Sequence, residues 1–405
     1  MKSKKDTIKL VFLLSMVFLL MASAQTAFCQ PPYKVGLVDS FSGFVAFIGS
    51  AARMGFMLAV DGINDSGGIL GHKIEVVSYD DESDVSKGVL AMKKLIETDK
   101  VLFVAGASSS GVAIASSPIA EKSRVPFFAG NSSRWSVAKP KKWQLPGDPT
   151  EVYDFTAKFR NDPQDHLQYM YAFLKKLGAK KLAWANANTA MGNSAKEAFV
   201  GTYKQAGFDL VASEEYGPHD SIMASQLSKI KASDCDAILL YSAEPAGALF
   251  YKQAREMGIT KPIIADAPLV ATSIMDTLGQ YLVGLYVLTN TSDIPDLSVL
   301  PQRLKPMAPV VEKVRKGIME KYKYRADGRV GQGYDRAMVM IDAFRRAAPD
   351  PTKLEEAREK IMQALLSTKG YVGCFGMGDI TRTHELQVPA LMIKIEEGKK
   401  FKFVE

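Results

Sequence analysis

From Tyr33 onward, hydrophobic runs and amphipathic stretches alternate along the chain with short, punctuated joins. Tyr33–Val38 (YKVGLV) and Lys73–Tyr79 (KIEVVSY) are β-branched runs, while Val101–Ala105 and Val125–Phe128 are short and apolar. Helical spacing fills the intervals near 50–64, 84–98 and 110–122. Strands that are apolar throughout must be buried on both faces, so strands joined by crossover helices predict a parallel sheet covered on two sides. The interval 134–150 breaks the rhythm with three prolines and two tryptophans, and predicts a crossing segment or surface loop.

The alternation then restarts. Leu167, Met170, Tyr171 and Leu174, at i, i+3, i+4 and i+7, mark a helix over 164–177 with Gly178 past its end. Strands at Lys181–Ala185, Asp209–Glu214, Ala237–Tyr241 and Pro262–Ala265 alternate with helices near 194–206, 221–232 and 246–257. Two α/β units of one pattern predict two lobes with a cleft between them. Helices near 307–323, 331–348 and 353–367, with strands near 371–375 and 389–395, are too little for a third domain and complete the first two.

Composition narrows the chemistry. The 405 residues are 47% hydrophobic and 23% charged, an ordinary globular balance at a length suited to two folding units. His72, His166, His219 and His384 are far apart, and no C-x-x-C or H-x-x-x-H spacing occurs, so no metal or other cofactor is expected. The formal charge of +7 is partly local. Lys2, Lys4, Lys5 and Lys9 precede an apolar run, Leu10–Met21, and then Ala22-Ser23-Ala24. A basic flank, a short apolar core and a small-x-small site predict a secretory signal peptide over 1–24, cleaved after Ala24. The run is shorter than the ~20 residues a spanning helix needs. Cys29 would invite lipidation, but the bulky Phe28 before it fits that processing poorly. Cleavage removes four Lys and one Asp, which lowers the charge to +4. The product is expected outside the cytoplasm, in the periplasm, with Cys235 and Cys374 as buried thiols. Basic residues are scattered rather than striped, which excludes a nucleic-acid partner.

Chemistry concentrates where strands end. Val101–Ala105 runs into Gly106 and then Ser108, Ser109 and Ser110, just ahead of a helical stretch. Parallel sheets bind ligands beyond the carboxyl ends of their strands, and the free N–H groups of a helix start attract anions. One serine is needed as a helix cap; three exceed that need and point to a bound carboxylate. Val125–Phe128 repeats the arrangement with Gly130, Asn131, Ser132 and Ser133. The first turn carries Phe41, Phe44 and Phe47, an apolar wall for a small solute. Pro118 should bend or shorten the helix after the serines. Asp80, Asp81, Glu82 and Asp84 lack EF-hand spacing and predict a solvated turn. Catalytic patterns are poor: Gly106-x-Ser108-x-x-Gly111 lacks the nucleophile-elbow spacing, Ser136-x-x-Lys139 is followed by Pro140, and neither a Walker loop nor a G-x-G-x-x-G occurs.

The string Asn64-Asp65-Ser66-Gly67-Gly68-Ile69-Leu70-Gly71-His72-Lys73-Ile74, with the Ser40-Phe41-Ser42-Gly43 turn before it and the acidic turn after it, resembles the leucine/isoleucine/valine-binding family. These are the type I periplasmic solute-binding proteins of ABC importers, and the similarity runs from about Tyr33 to the C-terminus. The resemblance implies an α/β fold of two doubly wound parallel-sheet lobes joined by three crossing segments. Lobe 1 would hold 33–148 plus 291–371, and lobe 2 149–290 plus 372–405. It further implies that Ser109 and Ser110, then Asn131, Ser132 and Ser133, hold a ligand carboxylate. The positions where the family often places aromatics are Ile48, Met191 and Glu244 here, and the acid that grips an α-amino group falls near Asp266 and Ala267. The carboxylate half of an amino-acid site is therefore present. If Glu244 or Asp266 faces the cleft, an amine or amide ligand is open; if neither does, an aromatic or aliphatic acid is favoured.

The expected function is capture of a small carboxylate-bearing solute by a monomer, through lobe closure, and delivery to the membrane permease of an ABC importer. A sensor on the same scaffold that signals through a partner stays open. So does an exported α/β hydrolase, which would need a histidine within reach of Ser109 or Ser110.

Overall fold

The computed structural model describes residues 30–130, 133–139, 151–160 and 162–404. The expected signal peptide over 1–24 and Cys29 lie outside the described residues, as do Asn131 and Ser132. The first lobe opens with β1 (Tyr33–Asp39), α1 (Ala46–Asp65), β2 (Ile74–Asp80), α2 (Val85–Glu97), β3 (Phe103–Gly106), α3 (Ser110–Ser123), β4 (Phe127–Ala129) and β5 (Thr156–Arg160). The chain then crosses into α4 (Pro163–Lys176), β6 (Lys181–Ala187), α5 (Ala190–Thr202), β7 (Asp209–Tyr216) and α6 (Ala224–Ala232). The second lobe continues with β8 (Ala237–Tyr241), α7 (Pro245–Glu256), β9 (Ile263–Asp266), the short α8 (Thr272–Thr277) and β10 (Tyr286–Asn290). It returns through α9 (Ala308–Tyr322), α10 (Gly328–Ala347), α11 (Leu354–Leu366), the hairpin β11 (Tyr371–Val372) and β12 (Met377–Gly378), and β13 (Glu385–Gln387). A third crossing leads to β14 (Ala390–Glu396) and β15 (Lys400–Phe403).

The first sheet has the order β13-β5-β4-β3-β1-β2, with every pairing parallel. The second runs β15-β14-β10-β9-β8-β6-β7, parallel from β10 to β7, with β14 and β15 antiparallel at its edge. Each sheet is buried on both faces. In the first lobe one core joins Leu37, Phe56, Phe103, Phe159, Met340 and Phe344, and the other joins Val38, Met92, Leu95, Val104 and Phe127. The second lobe divides likewise around Ile238, Phe250 and Leu285 on one side and Leu174, Trp184, Phe199 and Leu239 on the other. This is the doubly wound arrangement that uniformly apolar strands require.

The sheet boundaries differ from those read along the sequence. The expected division of 33–148 plus 291–371 from 149–290 plus 372–405 places β5 and β13 in lobe 2; both pair in the first sheet. Both are short, and their pairing joins segments more than two hundred residues apart, which local pattern does not register. β10 and β15 likewise escape the periodicity. Helix α5 begins at Ala190 rather than near 194, because the Thr189 hydroxyl accepts from the Gly192 amide and caps it there. Helix α3 runs on through Pro118: the buried Val112, Ala113, Ser116, Ser117 and Ala120 hold its face against the sheet despite the missing amide. Cys235 and Cys374 are free, buried thiols.

Candidate functional site

Beyond the carboxyl ends of β1, β3 and β4 in one lobe and β6, β8, β9 and β10 in the other, the lobes enclose a cavity of about 330 Å³. Phe44, Val45, Ile48, Met191, Leu288 and Phe375 give it apolar walls. The lobes touch around its rim. Phe44 meets the His219 ring edge-on at 5.9 Å, the Ser133 and Ser194 hydroxyls are 3.2 Å apart, and Trp135 Nε1 donates to Glu197 at 3.1 Å. At the crossing, Arg329 is buried between Asp293 and Asp327 and donates to the Ala267 carbonyl at 2.8 Å, so its charge is spent within the protein.

The first-lobe half is built by backbone geometry. β3 ends on Gly106 (φ 126°) and Ala107 (φ 58°), both left-handed. At Gly106 a side chain would overlap the Val38 carbonyl, so glycine is obligatory there. That turn brings the Ser108 amide to Asp39 Oδ1 at 2.8 Å and points the start of α3 at the cavity. Ser108, Ser109 and Ser110 all line it. Ser109 occupies the cap position of α3 yet makes no side-chain cap bond, and the occluded Ser108 Oγ has no partner among the described residues. Hydroxyls beside the free amides of a helix start are the donor chemistry that suits an anion.

The second-lobe half brings together Glu244 from the turn after β8, Asp266 at the end of β9 and His166 from the first turn of α4. Glu244 Oε2 accepts from the Ser242 hydroxyl and the Ala243 amide, both at 2.9 Å. Burial raises its pKa above the ordinary glutamate value, against those hydrogen bonds. His166 Nδ1 lies 2.9 Å from Asp266 Oδ1 and 3.2 Å from the Tyr241 hydroxyl. Burial pulls the imidazole pKa down; the Asp266 carboxylate, with Asp162 and Asp165 behind it, outweighs this and raises it above the usual histidine value.

Of the residues expected at the site, Ser109, Ser110, Phe44, Ile48, Met191, Glu244 and Asp266 line this one cavity. Phe47 does not: it packs against the second-lobe cores. Ser133 is also displaced, its hydroxyl engaged with Ser194 across the rim, and Gly130 takes the place at the end of β4. Phe41 stacks under Arg53, away from the cavity. The acidic turn is not wholly solvated. Asp80 accepts from the Phe41 and Ser42 amides, Asp84 caps α2, and Asp81 is fully buried. Residues missed from sequence include His166, Gln332 and Phe375, all on the cavity wall. His166 sits just after an Asp162-Pro163 helix start, a legible capping signal, but nothing local links it to Asp266, a hundred residues away. Among the described residues no hydrogen bond joins His166 to Ser109 or Ser110, so the arrangement a hydrolase needs is not made.

A family model described as periplasmic binding protein matches residues 32–400. Among curated proteins, the Leu/Ile/Val-binding protein BraC3 of Rhizobium johnstonii is 28% identical over 259 residues, which cover 64% of this chain and 67% of that protein. The match to Leu/Ile/Val-binding protein homolog 7 of Brucella abortus, 28% identical over 247 residues, spans 58% of this chain and 58% of that protein. Among solved structures, LivJ of Streptococcus pneumoniae in complex with isoleucine superposes with a TM-score of 0.73 at 22% identity, over 92% of this chain and 100% of that one. A solute-binding protein of Rhodopseudomonas palustris in complex with benzoate superposes with a TM-score of 0.76 at 19% identity, over 92% and 95%. At such identities the superpositions speak to the fold, and the family model to membership. The chain belongs to the periplasmic binding protein family, with the type I α/β fold of its Leu/Ile/Val-binding branch, and is a solute-binding protein rather than an enzyme.

Proposed function

We propose that the chain is exported through its N-terminal leader and, as a periplasmic monomer, captures one small carboxylate-bearing solute between its lobes for delivery to an ABC permease. The solute is an amino acid or a related aromatic or aliphatic acid or amide. The observation that carries this reading is the serine corner: among the described residues the Ser109 hydroxyl makes no bond, and it stands at the cap position of α3 on the cavity wall, with Ser108 and Ser110 beside it. In the second turn, Asn131 and Ser132 are proposed to support them. A volume of about 330 Å³ lies at the low end of small-molecule sites, which run from roughly 300 to 1,000 Å³. The apolar walls suit a hydrocarbon body, and both Glu244 and Asp266 face the cavity, which keeps an amine or amide group open. The isoleucine and benzoate held by two proteins of this fold share a carboxylate beside an apolar body.

The test is a thermal-shift panel on the mature protein with amino acids, aromatic acids, amides and short dicarboxylates. A ligand at a hundred times its Kd stabilises the native state by about 2.7 kcal/mol, well within detection. Stabilisation by at least one carboxylate-bearing solute is expected, and none by any of them would refute the reading.

A further inference from the structure

Resting on the carboxylate reading above, we propose that His166 is a specificity-determining residue that binds a second oxygen acceptor, a carboxylate or amide carbonyl, at the far end of the solute. The ring's two nitrogens have different tasks. Nδ1 faces the protein, hydrogen-bonded with the Tyr241 hydroxyl at 3.2 Å and within ion-pair distance of Asp266 Oδ1 at 2.9 Å, though outside hydrogen-bond alignment with it. Nε2 has no partner among the described residues and is not occluded, on a residue that lines the cavity. A carboxylate held against one imidazole nitrogen fixes the ring's orientation and favours a proton on both, so the other nitrogen is left as a donor.

The same pairing changes what the neighbouring acids can do. Asp266 is the residue that the sequence resemblance sets beside an α-amino group, but its charge is answered by His166. Glu244 already accepts from Ser242 and Ala243, and burial favours its neutral form. Arg329, the other charged group on the wall, is consumed by Asp293 and Asp327. An ammonium group entering this end would compete with a ring whose pKa the Asp266 carboxylate raises, whereas a carboxylate or carbonyl oxygen would suit a protonated Nε2. The cavity thus offers hydroxyl and amide donors in one lobe and an imidazole donor in the other, with apolar walls between, and that arrangement fits a solute with acceptors at both ends.

The assay is calorimetric titration of the mature protein with dicarboxylates from succinate to pimelate, their half-amides and the matching monocarboxylates, with leucine as the ammonium-bearing control. The best two-acceptor solute is expected to bind about tenfold to a hundredfold more tightly than its monocarboxylate, the range for one charge-assisted hydrogen bond. His166→Ala should erase that gain and leave monocarboxylate binding within about threefold. His166→Gln, which can still donate to Asp266 and guards against misfolding, should lose the dicarboxylate preference. The dicarboxylate and half-amide arms report whether an anion or a carbonyl is preferred. Monocarboxylate binding without any gain from the second acceptor, a gain that survives His166→Ala, or leucine as the tightest ligand overturns the assignment of His166 alone. No binding by any probe overturns the carboxylate reading with it.

Discussion

Ser109→Ala separates a ligand contact from a structural cap. A serine at a helix start ordinarily contributes about 0.5–2 kcal/mol because its oxygen accepts from an amide in the first turn. Ser109 holds the cap position, with extended backbone (φ −69°, ψ 120°), but makes no such bond. Its removal should therefore leave the empty protein's stability unchanged to within about 0.5 kcal/mol, as for a side chain without a stabilising contact. The residue is nearly buried, 7% exposed, and its free hydroxyl lines the cavity. A hydrogen bond to a charged group is worth about 1.5–3 kcal/mol, which converts to roughly a tenfold to 150-fold rise in Kd for a carboxylate ligand. The neighbouring Ser110 and the amides of α3 remain, so the lower part of that range is expected. Calorimetric titration gives the Kd, and a thermal melt of the empty protein gives the stability. An unchanged Kd would refute the argument. So would an empty protein destabilised by as much as binding is weakened, because Ser109 would then be a cap after all.

Two further predictions concern the first lobe. Asp81 is buried, accepts from the Ser40 hydroxyl at 2.5 Å and the Ser83 amide at 2.8 Å, and its second oxygen has no partner among the described residues. Burial lifts its carboxyl to about 6, against the Ser40 bond and with help from the Asp39 and Asp80 charges. The folded state therefore keeps a proton that the unfolded chain loses near pH 4, so this group's contribution is fully present below that pH and falls away as pH rises through about 6, by roughly 3 kcal/mol at most. Asp81→Asn keeps the acceptor oxygen without the charge; it should stabilise the protein by about 1–3 kcal/mol at pH 7.5 and hardly at all at pH 4, as read from urea midpoints at the two values. Gly333 in α10 packs so closely on α1 that a side chain would overlap the Ala52 carbonyl oxygen, and Gly55 meets the Val330 carbonyl in the same way. Gly333→Ala should cost about 1–3 kcal/mol or more in urea unfolding, since backbone rather than a movable side chain blocks the space, and a neutral result would sink that packing argument.

What the sequence alone determined is local. Alternating apolar strands and amphipathic helices, with glycine past the helix ends, fixed most elements and the two-lobed parallel design, because those signals repeat within a turn or two of chain. Strand ends rich in small hydroxyl residues pointed to the first-lobe wall of the cavity for the same reason, since Gly106, the serines and the start of α3 are consecutive. Tertiary structure decided everything that depends on which distant segments meet. β5 and β13 joined the first sheet through the Lys158–Glu385 register, across 227 residues. Burial turned Asp81 from a solvated acid into one whose carboxyl is lifted to about 6, and packing drew Phe47 into the second-lobe cores. The meeting of His166 with Asp266 is of the same kind, and it alters the chemistry most. Separately each residue has a bland local reading; at 2.9 Å they form one pair on the cavity wall, and the carboxylate raises the pKa of the imidazole beside it. Pair interactions of this kind depend on distance in space, and hydropathy patterns carry no record of it.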